Sequence, residues 1–152
     1  MSRIRKVSNT IIFIYIASII FQMASLILIK KPDQSFQELL KNNLMYTIRF
    51  MSIFLFIISF LLFFKIRERY KMKIDNEAIV LTAMLLISNA ILQQLALIVG
   101  FIILMYFIIR DENISLKNVF SNINLGKIKL EFILSILLIL ISIFVQFAYF
   151  KI

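Results

Sequence analysis

Residues 78–109 read AIVLTAMLLISNAILQQLALIVGFIILMYFII, a run of 32 residues without a charge. Three further apolar blocks, at about 8–29, 44–64 and 132–150, occupy much of the rest of the 152-residue chain. A helix needs about 20 apolar residues to cross the hydrocarbon of a bilayer, and each block offers that length or nearly so. The polar stretches left over are too short to shield so much apolar sequence from water. We therefore predict an all-α integral membrane protein, a single domain built as a bundle of four transmembrane helices.

Most of the charges lie between the apolar blocks. Hydrophobic residues make up 62% of the chain, against about 45–50% in soluble domains. The 17 basic residues outnumber the 8 acidic ones and give a net charge of +9. Basic residues are typical at the ends of membrane spans, so we expect anionic lipid headgroups, and not nucleic acid, as their partner.

The same charge distribution gives an orientation. We expect the N-terminus and the basic connection 65–77 to be cytoplasmic, because cytoplasmic loops carry an excess of Lys and Arg. Usage rich in Lys, Ile, Asn and Phe is typical of AT-rich bacterial genomes, which indicates a multi-pass protein of the plasma (cell) membrane.

The chain lacks the residues that acid–base catalysis and metal sites most often use. It contains no His and no Cys, so the commonest acid–base group at neutral pH and every thiol are missing. Acid–base or metal chemistry at membrane depth needs titratable groups that face each other. We predict no catalytic, metal or cofactor site, and a protein that is not an enzyme.

The longest block is either one tilted helix or two short ones. A helix of this length would measure about 48 Å, against about 40–45 Å for a whole bilayer. Its small and polar residues, from Ala78 and Thr82 to Gly100, fall within about 40° of one line at 100° per residue. A turn near residues 88–94 would break this stripe and would contain neither Gly nor Pro. This periodicity favours a single helix.

The alternative for residues 78–109 is a hairpin, which would give five helices. It would place twelve basic residues on one side of the membrane and five on the other, as the positive-inside rule prefers. We weight the periodicity slightly more and predict one helix.

Each block carries small or polar residues along one helical face. A packed membrane helix presents such a stripe to its neighbours, where interhelical hydrogen bonds contribute roughly 0.6 kcal/mol each. A polar conduit or ligand site between the helices is the alternative interpretation. The predicted packing stripe is Ser18, Gln22, Ser25, Asn89, Gln93, Gly100, Ser135, Ser142 and Gln146.

Arg49 is the one charge inside a block. It lies about 7.5 Å from the start of the block by helical rise, so we expect its side chain to snorkel to the interface. The alternative is an intramembrane ion pair with Glu131, which precedes the fourth block.

A run of alternating basic residues follows the second block. We interpret it as a cytoplasmic anchor; the functional alternative is a site for anionic lipid or an acidic partner, at about 1 kcal/mol per basic residue near a charged surface. The run is Lys65, Arg67, Arg69, Lys71 and Lys73.

Two connections are predicted to contain short interfacial helices. Ser35 and Glu38 stand at capping-box spacing just before the second block. The connection 111–129 scatters apolar residues among polar ones, which is compatible with a short amphipathic segment on the membrane surface.

Two classes of function fit these features. We favour a non-catalytic membrane protein that acts by contact with another membrane protein or a second copy of itself. It would be an accessory or regulatory subunit, or a protective factor similar in size and layout to bacteriocin-immunity proteins. The alternative is an oligomeric small transporter or channel subunit that lines a pore with its Ser and Gln stripes. The acidic or His relay that proton-coupled carriers need inside their spans is missing.

Overall fold

A computed structural model describes residues 2–152, and every regular element among them is helical. The elements are α1 (Ser2–Ile29), α2 (Phe36–Asn42), α3 (Leu44–Met72), α4 (Asn76–Ile91), α5 (Leu95–Asp111), α6 (Leu116–Ser121), the 3₁₀ turn Leu125–Ile128 and α7 (Lys129–Lys151). The all-α class is confirmed for this part of the chain.

Three helices, α1, α3 and α7, are long and apolar enough to cross a membrane. They contain 28, 29 and 23 residues, and about 20 residues already match the thickness of the hydrocarbon. Their length and composition suggest a membrane protein. The predicted count of four transmembrane helices is not confirmed, because the third apolar block forms two shorter helices.

The prediction of one continuous helix over residues 78–109 is wrong. Gln93, between α4 and α5, has a φ of 57° and so adopts the left-handed conformation. The Gln94 N–H donates to the carbonyl of Asn89 at 3.0 Å, and the Gln93 N–H donates to that of Ala90 at 3.1 Å. This is the hydrogen-bond pattern of a Schellman helix end, with Gln where Gly is usual. The turn therefore forms although the sequence offers neither Gly nor Pro.

Helix α5 folds back along α4, which agrees with the hairpin alternative. The Asn89 Nδ2 donates to the Tyr15 hydroxyl at 2.9 Å, and the Phe101 ring lies 6.2 Å from the Tyr15 ring. Residues on both sides of the turn thus lie at one level of the bundle. After α5, the Asn124 N–H donates to the Glu77 carboxylate at 3.0 Å, so the chain has returned to the end where α4 began.

The five longer helices close a ring. Helix α1 packs against α3, α3 against α7, α7 against α4, α4 against α5 and α5 against α1, while α3 also touches α4. The basic end of this ring holds the start of α1, the end of α3, the start of α4, α6 and the start of α7. The far end holds the end of α1, α2, the start of α3, the α4–α5 turn and the end of α7. Fully buried side chains of the core include Ile11, Tyr15, Phe56, Phe63, Leu85, Phe101 and Leu104.

Both short helices predicted in the connections are present. The Ser35 Oγ accepts from the Glu38 N–H at 3.2 Å, and the Glu38 carboxylate accepts from the Ser35 N–H at 3.1 Å. The predicted capping box at the start of α2 is therefore confirmed. Helix α6 forms in the later connection, where Val119 is buried and the helix packs against α4.

Gly100 allows α5 to lie close to α1, because a Cβ at this position would be only 3.1 Å from the Cγ1 of Ile11. We expect Gly100→Leu to push the two helices apart and to lower the free energy of unfolding by about 1–3 kcal/mol, measured by equilibrium unfolding in detergent. Ala96→Leu, one turn earlier at an exposed position of α5, is the control and should change the stability by less than about 0.5 kcal/mol. Equal destabilisation by both substitutions would contradict the close α1–α5 contact.

Candidate functional site

Three side chains from three helices form a hydrogen-bonded cluster in the centre of the bundle. The Tyr15 hydroxyl of α1 and the Ser59 Oγ of α3 are 2.6 Å apart. The Asn89 Nδ2 of α4 donates to the Tyr15 hydroxyl at 2.9 Å and to the carbonyl of Leu85 at 2.8 Å. All three side chains are fully buried. This central cluster ties α1, α3 and α4 together at one level.

Aromatic rings enclose the central cluster. The rings of Phe56, Phe60, Phe63 and Phe101 lie 5.9–6.2 Å from the Tyr15 ring, centroid to centroid. Aromatic pairs at such distances contribute about 0.5–1.5 kcal/mol each beyond the area that they bury. Because three of these four Phe side chains are fully buried, they fill the centre of the bundle between its two ends.

The far end holds a pocket of about 310 Å³ around the α4–α5 turn. Polar side chains from α1, α3, α7 and the turn line it, and four members of the predicted packing stripe are among them. The polar lining of this pocket, which we call the polar pocket, is Gln22, Ser25, Arg49, Ser52, Gln93, Gln94, Gln146 and Tyr149.

The basic end holds a larger pocket of about 720 Å³ between the start of α1 and the end of α3. Arg67 of α3 donates to the Asn9 Oδ1 of α1 and so connects the two walls. We call this the basic pocket, and its lining is Ile4, Arg5, Lys6, Ser8, Asn9, Arg67, Tyr70 and Lys71.

The predicted basic run divides between two faces of α3. Lys65 and Arg69, one turn apart, lie on the face towards α7. The Lys65 Nζ is 2.9 Å from the Glu131 carboxylate, and Arg69 is 3.6 Å from the same carboxylate and 3.6 Å from that of Asp75. These ion pairs join α3 to α7 and to the start of α4.

The other members of the run lie elsewhere. Arg67 and Lys71, also one turn apart, line the basic pocket. Lys73 follows the last residue of α3 and is exposed. The five basic residues therefore do not form one patch.

Glu77 anchors the connection before α7 to the first turn of α4. Burial of its carboxyl raises its pKa, but the hydrogen bond from the Asn124 N–H and the charges of Lys127 and Arg69 outweigh this effect and hold the pKa below its usual range. Glu77 is therefore ionised at neutral pH, and its negative charge strengthens the hydrogen bond that it accepts from Asn124.

The structure does not bring Arg49 and Glu131 together. Glu131 lies at the basic end beside Lys65, whereas Arg49 lines the polar pocket at the far end and makes no ion pair among residues 2–152. The hairpin is the reason, because it places the start of α7 at the opposite end from the start of α3. The side chain of Arg49 is exposed, as an arginine near the end of a span is expected to be.

The remaining members of the predicted packing stripe lie at helix contacts or bond to their own helix. Ser142 of α7 is 3.3 Å from a serine of α4. The Ser135 hydroxyl donates to a carbonyl one turn earlier at 2.8 Å, and Ser18 is partly buried. Asn89 belongs to the central cluster, and Gly100 lies at the α1–α5 contact.

Tyr15 of the central cluster and Ser8 of the basic pocket are not among the site residues predicted from the sequence. A signal was present, since Ser8, Tyr15 and Gln22 are spaced seven apart and so continue one face of α1. The pairing of Arg5 and Lys6 with the end of α3 had no comparable signal, because it depends on how two distant segments pack.

Within residues 2–152, no three carboxylate, His or Cys side chains come together that could hold a metal ion. The polar pocket offers amide and hydroxyl groups and the Arg49 guanidinium, whereas the basic pocket offers mainly cationic groups. No protein family model, curated protein sequence or solved structure matches this chain, so the inference about its function rests on the geometry of its own residues.

Proposed function

We propose that this chain is a non-catalytic, multi-pass protein of the plasma membrane that acts by contact with another membrane protein. It would serve as an accessory or regulatory subunit, or as a protective, immunity-type factor. The observation that carries the proposal is the filled centre of the bundle, where the central cluster and the rings around it separate the two pockets. Such a bundle offers its surface to other molecules and no open passage through its middle.

The charged groups at the basic end support the same proposal. Glu131 and Glu77 are both engaged in contacts that hold the helices and connections together. An ion-carrying or proton-transferring site needs titratable groups inside the spans that can exchange partners. Carboxylates that are already paired at one end of the bundle fit a structural role better than a role in ion or proton transport.

The charge distribution supports a cytoplasmic N-terminus. With the hairpin, twelve Lys and Arg residues belong to segments at the basic end and five to segments at the far end. Cytoplasmic segments of membrane proteins carry such an excess, so the basic end would face the cytoplasm.

In proteoliposomes that contain this protein alone, we expect ion and solute fluxes equal to those of protein-free liposomes, because the centre of the bundle is filled.

In native membranes, crosslinking followed by purification in a mild detergent should give a complex with one defined partner. Alanine substitutions at outward-facing positions probe that contact, and Phe13, Phe21 and Ile102 are suitable because they are 72%, 76% and 53% exposed.

We expect at least one of these alanine substitutions to weaken the complex without changing the melting temperature of the protein. Flux above the protein-free level, or a complex that no outward substitution weakens, would contradict the proposal.

An oligomeric small transporter or channel subunit is the second candidate, and the polar pocket favours it. The α4–α5 turn is irregular backbone between apolar helices, and at membrane depth such backbone is tolerated where it is buried in protein or lines a water-filled cavity. Broken helices also line substrate sites in many transporters. Under this alternative, reconstituted protein would move a solute, and Gln93→Leu combined with Gln94→Leu would abolish the flux.

A further inference from the structure

We propose that the basic pocket binds the phosphate group of an anionic ligand, with a phospholipid headgroup as the first source to test. This inference goes beyond the contact function and does not depend on it. Three independent features of the pocket support it: its charge, its buried polar atoms without partners, and its apolar wall.

The first feature is a concentration of positive charge, which a single acidic residue offsets in the described part of the chain. Arg5 and Lys6 come from α1, and Arg67 and Lys71 come from α3. Among residues 2–152, Glu68 is the one carboxylate paired with them, 2.6 Å from the Lys71 Nζ and 3.9 Å from the Arg67 guanidinium. Three positive charges therefore remain in excess around the pocket. Such an excess attracts an anion, and a guanidinium group suits phosphate oxygens in particular.

The basic residues on the other face of α3 behave differently, and this contrast supports an anion site in the basic pocket. Lys65 and Arg69 lie on the same helix and share the Glu131 carboxylate, and Arg69 also reaches Asp75. Their charges are used within the protein. Around the basic pocket, by contrast, most of the positive charge is not neutralised by a carboxylate of the described residues, so it can attract an anionic ligand.

The second feature is a pair of buried donors without partners. Ser8 is 1% exposed, and its Oγ makes no hydrogen bond among the described residues. The Arg67 Nε is also buried and has no partner there. Both residues line the basic pocket. Buried donors in native proteins are almost always satisfied, and a phosphate oxygen is an acceptor that can receive a hydrogen bond from each of them.

The third feature is size and an apolar wall. The volume of about 720 Å³ lies within the roughly 300–1,000 Å³ that is usual for ligand pockets. Ile4 and Tyr70, both buried, form part of the lining, and the Tyr70 hydroxyl is already bonded to Thr82. The pocket therefore has room for the headgroup and glycerol portion of a lipid, with the small exposed parts of Ile4 and Tyr70 beside it and the cations around its phosphate.

The test measures lipid binding to the purified full chain by native mass spectrometry, with phosphatidylglycerol and phosphatidylcholine compared at equal concentrations. We expect one molecule of phosphatidylglycerol to bind more tightly than phosphatidylcholine. Arg67→Gln combined with Lys71→Gln should weaken this binding by about 25-fold, at about fivefold per charge. Ser8→Ala, which leaves every charge in place, should weaken it severalfold.

Lys73→Gln is the matched control, because Lys73 belongs to the same basic run but lies outside the pocket. It should change the binding by less than twofold. Melting temperatures without lipid show whether each variant is folded, and Ser8→Ala keeps the test informative if the double variant is not.

Inorganic phosphate added in competition identifies the source of the anion. Displacement of the lipid by millimolar phosphate indicates a site for small phosphorylated solutes, whereas resistance to it indicates a lipid headgroup site; both results support a phosphate site. Equal binding of both lipids would overturn the proposal, because it means that the cations of the pocket do not recognise an anionic headgroup. A Lys73→Gln effect as large as that of the double variant would also overturn it, because it means diffuse attraction to the whole basic run.

Discussion

Cysteines introduced at Lys73 and Lys117 are expected to react with a membrane-impermeant thiol reagent from the same side of the membrane. The α4–α5 hairpin returns the chain to the end of the bundle where it began, so the segments before α4 and after α5 share that end. A single helix over residues 78–109 would put the two positions on opposite sides. The effect is all or none, and the chain has no Cys of its own to react.

The measurement uses inside-out and right-side-out membrane vesicles from the same cells. Lys31→Cys, in the connection after α1, is the control and should react from the opposite side. Reaction of the Lys117→Cys variant in the same vesicles as Lys31→Cys would show that the third apolar block crosses the membrane once.

The second large effect is expected for Tyr15→Ala, which should lower the free energy of unfolding by about 3–5 kcal/mol. The substitution leaves a cavity among the Phe56, Phe63 and Phe101 rings. It also removes one hydrogen-bond partner of Ser59 and one of Asn89, and weakened pairing of buried polar groups is costly. Equilibrium unfolding in detergent measures the change.

Two variants separate the causes of this destabilisation. Tyr15→Phe keeps the ring and removes only the hydroxyl, so it should cost about 1 kcal/mol. Tyr106→Ala removes a tyrosine that is 57% exposed, and it should change the stability by less than about 0.5 kcal/mol. If Tyr15→Ala destabilises the protein no more than Tyr106→Ala does, the central cluster does not hold the bundle together.

The helical class and the start of α2 could be predicted because their signals are local. Apolar runs of 20 residues and the spacing of Ser35 and Glu38 need no knowledge of tertiary structure. The hairpin turn could not be predicted from local sequence, because residues 88–94 contain neither Gly nor Pro, the residues that usually mark a turn. Gln93 adopts the left-handed conformation at a cost of about 1–2 kcal/mol, and the packing of α4 and α5 against their neighbours supplies the compensation. The charge count favours this hairpin, whereas the stripe of small and polar residues favours one helix.

The candidate sites were predictable only in part. Gln22, Gln93 and Gln146 stood out as polar residues within apolar blocks, and the structure brings them into one pocket. The basic pocket joins the first turns of α1 to the last turns of α3, some 60 positions later in the chain. No local spacing relates Ser8 to Arg67, so tertiary structure was needed to find this site.

The closed ring has a consequence for biogenesis. Helices α4 and α5 contain only 16 and 17 residues, at the lower limit of the roughly 17–25 residues that span the hydrocarbon. Their outer neighbours are α1, translated before them, and α7, translated after them. A nascent chain that has emerged from the ribosome only as far as α5 therefore exposes the side of α4 that carries Ser88, which faces Ser142 of α7 in the folded protein. We expect this side of α4 to stay unpaired in the nascent chain until α7 packs against it.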